Sequence, residues 1–312
     1  MNKHKKSESL VTIELQQLIQ LKAEARGFSF LPRQPVQSLL AGRHASRLRG
    51  RGLAFEELRH YSQGDDVRTI DWKATARLRS PHVRVYSEER ERPVLLVVDQ
   101  RKTMFFGSRR AMKSVAAAEL CALGAWRTLN SGDRVGGIVF NDQQIIDLRP
   151  QRSQTAVLRL LHEVTQMNHA LTQKDPRPAT VTLNQALEAA ARRALHDYLV
   201  VVISDLDGAN EETQRITTQL AAHNDVVIAA IYDPLGASLK GEPGMIAATS
   251  DGLCALPTER SFPAAFRETF TQRLEQWRQI FQSLKVPVMP ISTAEPAAQQ
   301  LRDLFGRQHP MN

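Results

Sequence analysis

The chain has 312 residues, 42% of them apolar and 24% charged, and its 41 Lys and Arg against 33 Asp and Glu leave a net charge of +8. That length holds one large domain with an appendage, or two ordinary ones, with a proper core, and the composition is that of a globular protein without repeats or low-complexity tracts. No apolar run approaches the roughly 20 residues that cross a bilayer, and the basic start lacks the unbroken apolar stretch of a signal peptide, so the expected place is the cytoplasm.

The first predicted element is an amphipathic helix at about 8–25, followed by a basic, Gly-punctuated stretch, AGRHASRLRGRG. LRHYSQGDDVRTIDWKATAR, residues 58–77, comes next, and then PHVRVYSEERER, whose alternation of Val with charge predicts an exposed strand. Residues 1–92 hold 18 Lys and Arg against 11 Asp and Glu, whereas the remaining 220 hold 23 against 22. Two differently built halves, 1–92 and 93–312, are therefore expected, and the basic one implies an acidic partner: nucleic acid, an anionic membrane face touched peripherally, or an acidic protein surface.

From Pro93 the pattern alternates. PVLLVVD predicts a strand buried on both faces. A helix over 108–129 follows and stops at NSGD, then two strands, DRVGGIVFND and QQIIDL, around a turn at Asn141 and Asp142. Helices over 153–167 and 182–196 precede a second buried strand in DYLVVVISDLDG; a helix over 211–222 leads to a third, DVVIAAIYDP. An irregular stretch, 236–258, a long helix at about 259–284, a short strand in VPVMPIS and a helix over 294–305 complete the chain. Such alternation predicts a doubly wound α/β domain with a mostly parallel sheet. Ligands of such sheets bind at the carboxyl ends of the strands, which here carry Asp99, Asp205 and Asp233.

Several chemistries find no motif. No phosphate-binding glycine loop follows a predicted strand, so nucleotide hydrolysis is not expected of this chain. His162, Glu163 and His169 miss the spacing of a zinc helix motif. No nucleophile elbow is present, and Cys121 and Cys254 lie far apart without metal spacing, as reduced core residues do. The basic segment 43–51, RHASRLRGR, has no interleaved aromatic residue, which argues against nucleic acid.

The strand ends say more. An acid-ended strand followed by hydroxyls at alternate positions, D-x-S-x-S, aims hard oxygen ligands at one Mg²⁺. DQRKTM, the later VTLNQALEAA and ISDLDG resemble the metal-ion-dependent adhesion site of von Willebrand factor A domains. Asp99, Thr103 and Asp205 match; Arg101 stands where the central Ser would be, and Val181 where the family carries Thr, flanked by Thr180 and Thr182. A guanidinium in place of a ligand hydroxyl argues against metal. Arg101 is expected either to pair with Asp99 or Asp205, or to point to solvent.

RGRGLAFEELRHYSQGDDVRTIDWKATARL resembles the signature of domain-of-unknown-function family fifty-eight, through Gly50, Gly52, Phe55, Arg59, Tyr61, Gly64, Asp65, Asp66, Arg68, Ile70, Asp71, Trp72, Ala76 and Arg77. The resemblance covers most of the chain from about residue 40 and implies a von Willebrand factor A-like protein acting with a MoxR-type AAA+ ATPase. Physically, Gly64 suits a turn with positive φ and Asp71 a helix N-cap, while Arg59, Arg68 and Arg77 can pair with Asp65, Asp66 and Asp71. A buried, salt-bridged knot docking the N-terminal region is the leading expectation for this stretch, ahead of a partner surface or a carboxylate site. The function expected is a non-catalytic adaptor that presents a client protein to the ATPase, without cofactor. A metal-dependent hydrolase using Asp99, Asp205 and Asp233, or nucleic-acid binding by the basic half, are the alternatives.

Overall fold

The computed structural model of the chain describes residues 11–26, 53–88, 92–173, 175–235, 246–249, 252–255 and 286–306, together with Glu268 and Glu275. The first helix, α1 (Leu15–Gln20), is shorter than expected and hands over to a 3₁₀ turn at Glu24–Arg26. Its start is set by Gln17, whose side chain accepts the Glu14 N–H at 2.8 Å.

The described residues form two compact units, one of residues 53–88 and one uniting 11–26 with everything from Arg92 onward. This corrects the expectation that the N-terminal segment belongs with the basic region. Leu18 and Ala25 are fully buried, Trp126 Nε1 donates to Leu18 O at 3.0 Å, and the Ile13 N–H donates to Asn168 Oδ1 at 3.0 Å. Apolar anchors plus satisfied backbone groups hold the segment on the α/β unit.

In the smaller unit β1 (Leu53–His60) is followed by α2 (Trp72–Leu78) and β2 (His82–Glu88). The two strands pair antiparallel, with a register shift between Phe55 and Glu57. The expected strand in PHVRVYSEERER is present as β2. Its partner was not foreseen, because an irregularity of this kind breaks the period-two alternation by which a strand is read.

The larger unit continues with β3 (Val94–Asp99), α3 (Lys113–Asn130), β4 (Val135–Phe140), β5 (Ile145–Gln151), α4 (Gln154–Ala170), α5 (Leu183–Arg193), β6 (Leu199–Ser204), α6 (Glu211–His223) and β7 (Asp225–Tyr232). A small antiparallel hairpin, β8 (Ile246–Thr249) and β9 (Gly252–Ala255), lies in the stretch expected to be irregular. Then come β10 (Val288–Ser292) and a last helix, α7 (Ala297–Gly306). The expected helix at 259–284 falls on residues outside the described ones, apart from Glu268, Glu275, both helical.

The six-stranded sheet runs β10-β7-β6-β3-β4-β5, parallel except for β5, which returns antiparallel beside β4. β3, β4 and β6 are buried along their whole length, as strands covered on both faces must be. Leu95 and Val97 of β3 pack in one cluster with Leu183 and Leu187 of α5 and Ile216 and Leu220 of α6. The alternate residues Leu96 and Val98 face the opposite way, the side of α3 and α4. Gly137 in β4 allows α4 to close on the sheet, since a Cβ there would lie 2.6 Å from Leu160 Cδ1. No helix among the described residues is long and apolar enough to cross a membrane.

Candidate functional site

The chain leaves β3 in one direction towards β4 and β5, and returns on the other side for β6, β7 and β10. The switch point lies between β3 and β6, where doubly wound sheets open a crevice beyond their carboxyl ends. Asp99 is the last residue of β3, Ser204 the last of β6 with Asp205 next, and Asp233 directly follows β7.

Asp99 has no exposed surface. Arg101 turns inward onto it: Nη2 donates to Oδ2 at 2.7 Å and Nε lies 3.1 and 3.2 Å from the two oxygens. The Arg101 N–H adds a bond to Oδ1 at 3.0 Å, and Ser204 Oγ donates to Oδ2 at 2.7 Å. Arg101 Nη2 also reaches the Asp207 carbonyl at 3.1 Å, and the guanidinium carbon lies 5.5 Å from the centre of the Phe140 ring. Ser204 Oγ accepts the Leu206 N–H at 3.0 Å, which helps hold Leu206 at φ +57, an uncommon setting for a branched residue.

A second cation lies beside the first. Lys113 Nζ, at the start of α3, is 2.5 Å from Asp205 Oδ2, while Asp205 Oδ1 accepts the Asp207 N–H at 3.0 Å. Asp233 is held by neutral donors: Ser108 through its N–H at 2.8 Å and its hydroxyl at 2.5 Å, Thr293 Oγ1 at 2.5 Å and the Leu235 N–H at 2.9 Å.

These surroundings set the charges. Burial pushes the Asp99 carboxyl above its ordinary value, against the pull of Arg101 and the Ser204 hydroxyl; the negative Asp205 pushes it the same way as burial. For Arg101, burial acts to lower the pKa, but the bonds to Asp99 outweigh it and the guanidinium is raised. Burial also pushes Asp233 up, but the bonds from Ser108, Thr293 and Leu235 prevail and hold it below the ordinary value. The donor set does not fit a divalent cation. Both Asp99 oxygens are engaged by Arg101, one Asp205 oxygen is engaged by Lys113, and a metal here would have to displace fixed positive charge.

Of the residues predicted for the rim, Asp99 and Arg101 come together at the strand end beside Ser204, and Asp205 meets Lys113. Thr103 sits exposed in the 3₁₀ turn Lys102–Met104. Val181 packs against the core and donates its N–H to Asp142 O at 3.1 Å, while Thr182 Oγ1 caps α5 through the Gln185 N–H at 3.3 Å. Lys113 was missed because the expected helix began at 108, which would have put this residue in its second turn. Ser204 had a signal, its place at the very end of an acid-terminated buried strand. His169, weighed as a metal ligand, instead contacts Ile13 O at 3.1 Å, and the Cys121 thiol is buried, which pushes its pKa up to about 12.

The signature stretch lies in the smaller unit. Gly64 has φ +108 as the turn requires, Asp71 caps α2 by accepting the Lys73 and Ala74 N–H groups at 3.0 and 3.1 Å, and Arg59 pairs with Asp65 at 2.9 Å. Tyr61 donates its N–H to Pro81 O at 2.9 Å. The expectation of a buried knot is corrected: α2 has no buried residue, Trp72 keeps 66% of its surface, and neither Arg68 nor Arg77 has a carboxylate within ion-pairing distance among the described residues. A helix of seven residues with four outward positions cannot bury them all. Gly50, Gly52 and the basic segment 43–51 lie outside the described residues.

Strand order, a single antiparallel strand beside β4 and acids at the switch point define a von Willebrand factor A-like α/β protein. Within that class the chain belongs to the family described as protein of unknown function DUF58, whose model matches residues 57–279. Similar relatives are the uncharacterized proteins Mb1516 of Mycobacterium bovis and Rv1480 of Mycobacterium tuberculosis, each 27% identical over 252 residues, 81% of this chain and 77% of theirs. Among solved structures, BatB, a conserved hypothetical protein from Bacteroides thetaiotaomicron, matches 68% of this chain and 98% of its own at 13% identity with a TM-score of 0.41. An aerotolerance-related membrane protein from Bacteroides fragilis matches 70% of this chain and all of its own at 14% identity, with a TM-score of 0.42.

Proposed function

We propose that this protein is a non-catalytic interaction protein whose strand-end rim recognises a partner without a metal ion, and that it works with a MoxR-type AAA+ ATPase by presenting a client to it. One observation carries the reading: Asp99 with Arg101 and Asp205 with Lys113 are ion pairs inside the chain itself, so tethered cations stand where an adhesion-type site would hold Mg²⁺. The ATPase partner rests on the signature resemblance, and the lack of a phosphate-binding loop in the sequence accords with hydrolysis being the partner's task. A cytoplasmic place follows from a partner that consumes ATP. Arg101 spends Nε and Nη2 on Asp99 and the Asp207 carbonyl, which leaves Nη1 as the group that a client carboxylate would meet at the rim.

Titration calorimetry with Mg²⁺ and Mn²⁺ tests the site. The expected result is no heat from the native chain and binding gained in Arg101→Ser. Saturable binding by the native chain, with phosphoester turnover lost in Asp205→Asn, would replace this reading by metal-dependent hydrolysis. The partner is tested separately by mixing the purified chain with a MoxR-type ATPase in its ATP-bound, ADP-bound and empty states; no complex in any of them removes the ATPase from the proposal.

A further inference from the structure

The smaller unit presents a face that the strand-end site does not use. Helix α2 turns Ala74 and Thr75 inward, both half-buried. Thr75 Oγ1 accepts the His82 N–H at 3.1 Å, and His82 O accepts the Asp71 N–H at 2.9 Å. The outward positions are Trp72, Lys73, Ala76 and Arg77, all exposed. Residues four apart on a helix are neighbours, so Trp72 adjoins Ala76 and Lys73 adjoins Arg77. The small Ala76 leaves the indole open on that side. Val67 before the helix keeps 57% of its surface and Leu78 at its end 53%.

Charge on this face is one-sided. Its carboxylates are committed locally: Asp65 to Arg59 and the Ser62 N–H at 2.9 and 2.8 Å, Asp66 to the Arg68 N–H at 3.0 Å, and Asp71 to the helix start. Arg68, Lys73 and Arg77 have no carboxylate partner among the described residues. An exposed Trp on one helix face with an Arg, Trp72 and Arg77, combines two of the residue types that dominate the energetics of protein interfaces.

We propose that the Trp72, Lys73, Ala76 and Arg77 face of α2 docks an acidic segment of a partner protein that also carries apolar side chains. Apolar groups of the segment cover the indole and Ala76, and its carboxylates pair with Lys73 and Arg77. A protein segment fits better than a nucleic acid, because it can offer apolar side chains to the exposed indole and Ala76 together with carboxylates for Lys73 and Arg77. The inference is independent of the strand-end reading, since it uses residues of the other unit alone.

The test uses the full chain and a fluorescent synthetic peptide of alternating Glu and Leu, read by anisotropy, with a Lys and Leu peptide of the same length and a duplex DNA as competitors. Saturable binding of the acidic peptide is expected, weakened at least tenfold in Trp72→Gln and again at least tenfold in the Lys73→Glu, Arg77→Glu double variant. Arg159→Glu, an exposed site on α4, should bind as the native chain does. Circular dichroism checks that each variant folds, and both positions of the double variant are exposed. Absence of binding at millimolar peptide, equal binding by all variants, or preference for DNA over peptide would each overturn the proposal.

Discussion

At the residue scale, Arg101 decides what the rim can hold. Replacing it by Ser leaves Asp99 buried without its cation, and breaking such a pair costs about 3–5 kcal/mol. Arg101→Ser should therefore melt well below the native chain and regain part of the loss in millimolar Mg²⁺, because a ligand of the folded state alone stabilises it; the native melting temperature should not move. Differential scanning fluorimetry with and without the ion reads both. Asp233 has a pH signature. Its folded pKa lies below the ordinary 3.8, so its contribution to stability is complete above that value and is lost as pH falls through the depressed one. Asp233→Asn should thus flatten the fall of stability below pH 3.8, and denaturant unfolding across that range checks it. The two strand-end acids and the Arg substitution were legible in DQRKTM and ISDLDG. Lys113 was not, since its meeting with Asp205 spans 92 positions and no local pattern encodes it.

At the element scale, the N-terminal segment is tied to the strand end by a buried chain of amides. The Ile13 N–H donates to Asn168 Oδ1, Asn168 Nδ2 to Gln100 Oε1 and Gln100 Nε2 to Ser114 O, each at 3.0 Å, and Gln100 lies between Asp99 and Arg101. Asn168→Ala leaves two buried groups without a partner, each costing about 1–3 kcal/mol. Amide exchange at residues 13–18 should then accelerate while β7 stays protected, which hydrogen-exchange mass spectrometry would resolve; equal protection in both proteins would show that α1 is held by its apolar contacts alone. Buried strands were the most legible elements, because apolar runs of six to eight residues rich in Val and Ile and bounded by turn residues are too short for a helix and fit a strand covered on both faces. The start of α3 was less so. Apolar spacing begins near Ser108, yet Ser108 gives its N–H and hydroxyl to Asp233, and the helix opens only at Lys113.

At the scale of the whole molecule, the two units differ in what holds them. β3, β4 and β6 lie in a core with helices on both sides, whereas α2 has no fully buried residue and only His82 and Val83 are buried among the described side chains of 53–88. Opening free energy follows buried apolar contact, so native-state exchange should be fastest in the smaller unit and slowest in β3 and β6; comparable protection in both would mean that the smaller unit draws its stability from elsewhere. By itself the sequence determined the doubly wound sheet, the acids at its carboxyl ends, the turn at Gly64 and the cap at Asp71, since each rests on a period or a local hydrogen bond within a few residues. Tertiary structure alone decided that Arg101 turns inward, that Lys113 completes the rim, that the N-terminal segment joins the α/β unit and that Trp72 faces water. Arg101 has its partner Asp99 only two positions away, but its inward choice over solvent is completed by the Asp207 carbonyl and by Ser204 on the same carboxylate, more than a hundred positions on. The other outcomes likewise depend on groups far apart in the chain, or on which face of a short helix finds a neighbour, and a chain read locally carries no record of either.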